Sequence, residues 1–235
     1  MPFRSQPRSY GNRRPGVQRL AALAALAWLF LPVSALADDQ PVKDVQAVKI
    51  VVLGDSLTAG YGLPANDAFP AKLADALKAK GIAATVVNAG VSGDTASGGL
   101  DRLTWSVRPG TDAVIVELGA NDMLRGIDPK LTKAALAEIL KRLAARHISV
   151  LLAGMKAARN MGAEFIKEFD AIYPALASTH SVVFYPFFLD GVATYPKLKQ
   201  DDGMHPTAAG VDVIVERILP KVETLIARVR AAQKK

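Results

Sequence analysis

The sequence predicts an α/β protein in three layers, with helices on both faces of a doubly wound sheet of about five parallel strands. Three observations lead there. Short Val/Ile/Leu-rich runs alternate with longer helix-period segments along the chain. Those apolar runs show little in/out alternation, as expected of strands covered on both faces. Once an N-terminal leader is set aside, about 198 residues remain, enough for one domain that buries roughly 70% of its unfolded-chain surface.

The elements follow in order. Val48–Leu53 reads as the first strand. Phe69–Lys80 is helical, with Leu73, Ala76, Leu77 and Lys80 spaced along one face and Gly81 stopping it. Ala84–Asn88 is the second strand, and a Gly-rich turn then leads into a helix over Thr95–Trp105. Ala113–Leu118 is the third strand and Leu131–Arg146 a strong helix. Ser149–Gly154 is the fourth strand, Ala163–Thr179 a helix and Val182–Tyr185 the fifth strand. Thr207–Ala232 closes the chain as a long helix with a bend expected at Pro220. The pattern is flavodoxin-like, without an internal repeat or a second-domain boundary.

The N-terminus has a different character. Arg4, Arg8, Arg13, Arg14 and Arg19 precede the apolar stretch Ala21–Val33, which ends in Ser34-Ala35-Leu36-Ala37. A basic region, an apolar region and an A-x-A site make a secretory signal peptide over residues 1–37, with 38–46 a polar linker and 47–235 the domain. Pro32 and Ser34 interrupt the apolar stretch before it reaches the roughly 20 residues of a spanning helix, so a retained membrane anchor is the weaker reading. Arg13-Arg14 raises a twin-arginine export route, but Pro15 and Gly16 follow the pair where apolar residues would be needed. The leader also accounts for most of the charge. The whole chain carries +7, and the leader holds five basic residues and no acid, which leaves the remainder at +2. The alkaline balance is therefore no sign of a nucleic-acid partner. The chain has no cysteine, which excludes disulfides, a thiol nucleophile and cysteine-ligated metal.

In a sheet of this kind right-handed crossovers place every β-to-α loop on one edge, and ligands bind there. Ser56, in Gly54-Asp55-Ser56-Leu57, sits at the tip of the first strand, where a nucleophile is exposed and rigidly held. Of the three histidines, His147 and His180 lie in α-to-β connections on the opposite edge; His147 reads as a helix C-terminal residue. His205 follows the fifth strand, on the edge of Ser56, in Asp201-Asp202-Gly203-Met204-His205-Pro206. Asp202 stands three residues before it, with Gly203 between, so a tight turn can fold the carboxylate onto the imidazole. The alternative is an ordinary turn and helix start at Pro206. Two further loops on that edge can supply donors to an oxyanion: Gly93 in the loop after strand two, and Asn121 after strand three. Each also has a plain reading, as a turn glycine and an Asx-type cap. No serine has glycine at both i−2 and i+2, so the α/β-hydrolase nucleophile elbow is missing, as are the phosphate-cradling fingerprints and H-E-x-x-H. No metal or cofactor is expected.

Gly54-Asp55-Ser56-Leu57, Gly93 in Ser92-Gly93-Asp94-Thr95, Gly119-Ala120-Asn121-Asp122 and Asp202-Gly203-Met204-His205-Pro206 together resemble, in order and spacing, the four sequence blocks of the SGNH (GDSL) hydrolases. The resemblance covers nearly all of the mature chain. It is strongest to the bacterial periplasmic thioesterase I, lysophospholipase and arylesterase group, through Gly54-Asp55-Ser56-Leu57-Thr58-Ala59-Gly60-Tyr61, Glu117-Leu118-Gly119-Ala120-Asn121-Asp122, Leu124-Arg125-Gly126 and Ile172-Tyr173-Pro174. It implies Ser56 as nucleophile, His205 as base and Asp202 as its partner. The Ser56 N–H, the Gly93 N–H and the Asn121 side chain would form the oxyanion hole. Two departures stand out: Ala120 where a second glycine is common, and a loop Met155–Asn160 that lacks an expected proline. The expected substrate is a small acyl ester, a thioester or a lysophospholipid. Met123, Leu124 and Ile127 are expected to line an acyl groove, and Phe187-Phe188-Leu189 can do likewise or pack in the core. The rival readings are a carbohydrate O-deacetylase with the same catalytic set and a non-enzymatic flavodoxin-like binding module.

Overall fold

A computed structural model describes residues 46–234. The expected leader, and the linker up to residue 45, lie outside the described residues. The first strand, β1 (Val48–Gly54), leads into a single turn of helix, α1 (Ser56–Ala59), and then α2 (Phe69–Ala79). β2 (Ala84–Gly90) is followed by α3 (Ala96–Asp101) and α4 (Leu103–Ser106). β3 (Ala113–Glu117), α5 (Ala120–Leu124) and α6 (Pro129–Ala145) come next, then β4 (Ser149–Ala153), α7 (Ala163–Asp170) and α8 (Ile172–His180). β5 (Val183–Tyr185) and α9 (Ala208–Ala232) complete the order.

The five strands form one sheet in the order β2-β1-β3-β4-β5, all parallel, as the expected fold class requires. The chain steps from β1 to one side and then returns past it to β3. Right-handed crossovers therefore send the helices to opposite faces: α2 packs with α9, while α6 packs with α3 and α8. Ile50, Val52 and Leu53 of β1, Val114–Val116 of β3 and Leu151 and Leu152 of β4 are fully buried between the two helical layers. Leu73 and Leu77 of α2, Leu136 and Ile139 of α6, and Ile214, Ile218 and Val222 of α9 close over them. Each fully buried Leu or Ile contributes roughly 1.5–3 kcal/mol.

Three elements depart from the sequence pattern. β2 is an edge strand, and its residues are half-buried or exposed rather than covered on both faces. The helix expected over Thr95–Trp105 is two helices broken at Arg102. Thr95 caps the first, its side chain accepting from Gly98 N at 3.2 Å, and Gly98-Gly99 weakens helical propensity before the break. Arg102 itself is drawn aside: Nε meets Asp94 at 2.5 Å, Nη1 donates to Ala89 O at 2.8 Å and Nη2 to Gly54 O at 2.9 Å. The helix expected over Ala163–Thr179 breaks at Ala171, where Pro174 has no N–H to donate back to Asp170 and so interrupts the ladder. α9, by contrast, continues through Pro220 as one helical segment.

Candidate active site

Ser56 opens α1 directly beyond the carboxyl end of β1, the strand on which the order of connection reverses. The turn that holds it is dictated locally. Asp55 caps α1, its Oδ1 accepting from Leu57 N at 2.9 Å, and Gly60 ends it in the left-handed conformation at φ 83°. A methyl group on Gly90 would run into the backbone of Ala59, so the end of β2 lies hard against the nucleophile turn. Arg102 ties the same two strand ends together through Gly54 O and Ala89 O.

His205 reaches this turn from the segment before α9. Its Nε2 lies 2.9 Å from Ser56 Oγ and its Nδ1 2.5 Å from Asp202 Oδ2. The turn between them closes as the Asp202–Gly203–His205 spacing predicts: Gly203 adopts φ 71°, and Asp202 Oδ1 accepts from Met204 N at 2.8 Å and His205 N at 3.0 Å. The His205 ring and those two N–H groups pull the Asp202 carboxyl down to about 2. His147 and His180 lie at the ends of α6 and α8, on the far edge, as expected.

Gly93 and Asn121 come to the same place. Gly93 has φ 85° and its carbonyl accepts from Arg125 Nη2 at 2.7 Å. Ser56, Gly93 and Asn121 line one cavity with His205. Neither the Ser56 N–H nor the Gly93 N–H donates to a backbone acceptor among the described residues. The Asn121 amide is already engaged: Nδ2 lies 3.0 Å from Asp55 Oδ2 and 2.9 Å from Asp94 O. Asp122 beside it is buried and accepts from Ala96 N at 2.8 Å and Thr132 Oγ1 at 2.9 Å, pinning α5 to α3 and α6. Ala120 starts α5, and Gly119 before it, at φ 115°, has the Tyr173 hydroxyl where a side chain would be.

Beneath the nucleophile lies a pair of acids that the sequence reading left without a role. Glu117, the last residue of β3, is fully buried; its Oε2 accepts from Thr58 Oγ1 at 2.8 Å and lies 3.4 Å from Asp55 N. Burial and then the Asp55 charge push Glu117 well above the usual carboxylate range. Burial likewise pushes Asp55 up to about 6, against the hydrogen bonds from Leu57 and Asn121. Glu117 had a legible signal, a charge at the end of an otherwise Val/Ile strand. Tyr61 had none. Its ring lies 4.6 Å from the His205 ring, centroid to centroid, and its carbonyl accepts from Gln200 Nε2 at 2.8 Å.

The cavity measures about 570 Å³. Met123 and Leu124 line it, and so do Phe187 and Leu189. Ile127 is half-buried and lies outside the lining, because the chain turns away at Gly126. Phe188 is fully buried and meets Phe69 edge-on at 5.0 Å, so it belongs to the core. The loop that lacks the expected proline forms one wall through Met155–Arg159.

A hydroxyl, an imidazole and a carboxylate linked in line at the switch point of a doubly wound sheet define the class: an α/β serine hydrolase. Comparison with known proteins narrows it. Residues 52–213 match the model of the GDSL-like Lipase/Acylhydrolase family. The chain is 41% identical over 159 residues to an arylesterase of Vibrio mimicus, covering 67% of this chain and 80% of that protein. It is 38% identical over 178 residues to a thioesterase 1/protease 1/lysophospholipase of Escherichia coli, covering 75% and 84%. The crystal structure of TesA superimposes with a TM-score of 0.72 at 35% identity, over 75% of this chain and 99% of that one. The chain belongs to the GDSL-like Lipase/Acylhydrolase family and is a hydrolase acting on ester bonds.

Proposed function

We propose that this protein hydrolyses single-chain carboxylic esters through an acyl-serine intermediate, with Ser56 as nucleophile, His205 as general base and Asp202 as the acid that orients it. The 2.9 Å contact between Ser56 Oγ and His205 Nε2, continued to Asp202, is the observation that carries the reading. His205 takes the Ser56 proton as Oγ attacks the carbonyl carbon. Asp202, with its carboxyl held down to about 2, stays ionised throughout and stabilises the imidazolium that forms. The oxyanion receives the Ser56 N–H, the Gly93 N–H and one Asn121 N–H. His205 then gives its proton to the leaving group, activates water, and the acyl-serine is hydrolysed.

Aryl esters, acyl thioesters and lysophospholipids are the finer substrates this reading includes, supported by the names of the relatives and by an apolar cavity of drug-ligand size. Residues 1–37 would export the protein to the periplasm or beyond; among the described residues no helix is long and apolar enough to cross a membrane. Purified mature protein should cleave p-nitrophenyl octanoate, and Ser56→Ala should abolish that turnover and the labelling by a fluorophosphonate with the fold intact. Turnover or labelling that persists in Ser56→Ala would remove Ser56 from this role.

A further inference from the structure

The charges that line the cavity are of one sign. Lys156, Arg159 and Lys199 all line it, and no carboxylate does among the described residues. This one-sidedness does not follow from composition, because the chain beyond the leader is nearly balanced. Some cations elsewhere are paired with acids, as Arg102 with Asp94, Arg217 with Asp190, and Lys72 with Asp67 and Asp212. The three at the cavity form no ion pair among the described residues. Lys156 is exposed, and its Nζ instead stands over the Phe187 ring, 5.4 Å from the centroid. On the catalytic turn Asp202 is occupied by His205 and two N–H groups.

The arrangement separates inside from rim. Met123 and Met155 are buried, and Phe187 and Leu189 half-buried, whereas Lys156 and Arg159 are exposed. An acyl chain suits the interior; a charged group would lose its hydration there and must stay at the mouth. Lys199 pairs through its backbone with Pro206, the residue next to His205. We infer that the cavity selects acyl esters and thioesters whose leaving group carries a negative charge, a phosphate or carboxylate held at the rim by Arg159, Lys156 and Lys199. The inference rests on the esterase reading above and adds the sign of the charge on the substrate.

The test uses two octanoyl esters, one of 4-nitrophenol and one of 3-hydroxy-4-nitrobenzoate, which adds a carboxylate to the leaving group. The ratio of their kcat/KM values in the wild type is compared with that in Lys156→Gln/Arg159→Gln and in the charge reversal Lys156→Glu/Arg159→Glu; intrinsic reactivity of the two esters cancels in this comparison. An exposed charge pair is worth a factor of about 1.4 to 5, so the anionic-to-neutral ratio should fall about fivefold in the neutral variant and further in the reversal. In the wild type it should also shrink between 20 mM and about 0.5 M salt as the Debye length shortens. An unchanged ratio in both variants, with neutral-ester turnover intact, overturns the charge selection and leaves the esterase reading standing. A wild type that cleaves neither ester overturns both.

Discussion

Asn121→Ala tests the oxyanion assignment at its least obvious point. One preorganised donor is commonly worth about 10²–10³ in kcat, or about 2.7–4 kcal/mol. Here both Nδ2 hydrogens already have acceptors, Asp55 Oδ2 at 3.0 Å and Asp94 O at 2.9 Å. Donation to the oxyanion must be drawn from one of them, and the neutral Asp94 carbonyl yields more readily than the Asp55 carboxylate. The net benefit should therefore fall at the lower end, about 10² in kcat, with KM within about threefold, because the interaction strengthens only as charge develops. The same substitution leaves Asp55 Oδ2 buried without a side-chain donor, which costs about 1–3 kcal/mol. For a domain of this size that is a fall in Tm of about 2–12 °C. Steady-state kinetics on p-nitrophenyl octanoate, with Ser56→Ala as the floor and thermal melts in parallel, separates the two effects. A folded Asn121→Ala enzyme whose kcat stays within about threefold of the wild type would refute the assignment and the reasoning about its occupied hydrogens.

Three further outcomes are expected. Asp55 binds its proton more tightly folded, at about 6, than unfolded, at about 4. It therefore subtracts stability as pH rises from about 4 through about 6, and Asp55→Asn should flatten that part of the Tm–pH curve; an unchanged slope would place the titration elsewhere. Gly90→Ala, which presses a methyl group onto the Ala59 backbone behind the nucleophile turn, should cost about 1–3 kcal/mol and lower kcat; a variant as stable and active as the wild type would mean that this packing is loose. Tyr61→Ala should lower kcat/KM several-fold, while Tyr61→Phe, which keeps the ring over His205, should restore it. Equal losses in the two variants would assign the effect to the hydroxyl instead.

Much of the site was legible in the linear sequence because its parts are each attached to strand ends. Once β1 to β5 are recognised as parallel strands, chain topology alone separates His205 from His147 and His180. The Asp202–Gly203–His205 turn is local, so a three-residue spacing suffices to bring the carboxylate to the ring. The same logic fails for Ile127, because the turn at Gly126 redirects the chain immediately after the two residues that do line the cavity. It fails too for the helices broken at Arg102 and before Pro174. In the first a long side chain finds acceptors on two strands far away in sequence, and no periodicity encodes that.

What the sequence by itself determined is the sheet, its common edge, the four loops on that edge and the serine, histidine and aspartate they carry, since all follow from period, handedness and local turns. What only the tertiary structure decided is what those groups stand on and open into. Glu117 lies beneath the Ser56 turn, Asp55 and Asp94 hold Asn121, Tyr61 covers His205, and three cations line an apolar cavity. These depend on contacts between residues dozens of positions apart, where burial and electrostatics are set by neighbours that no local pattern specifies.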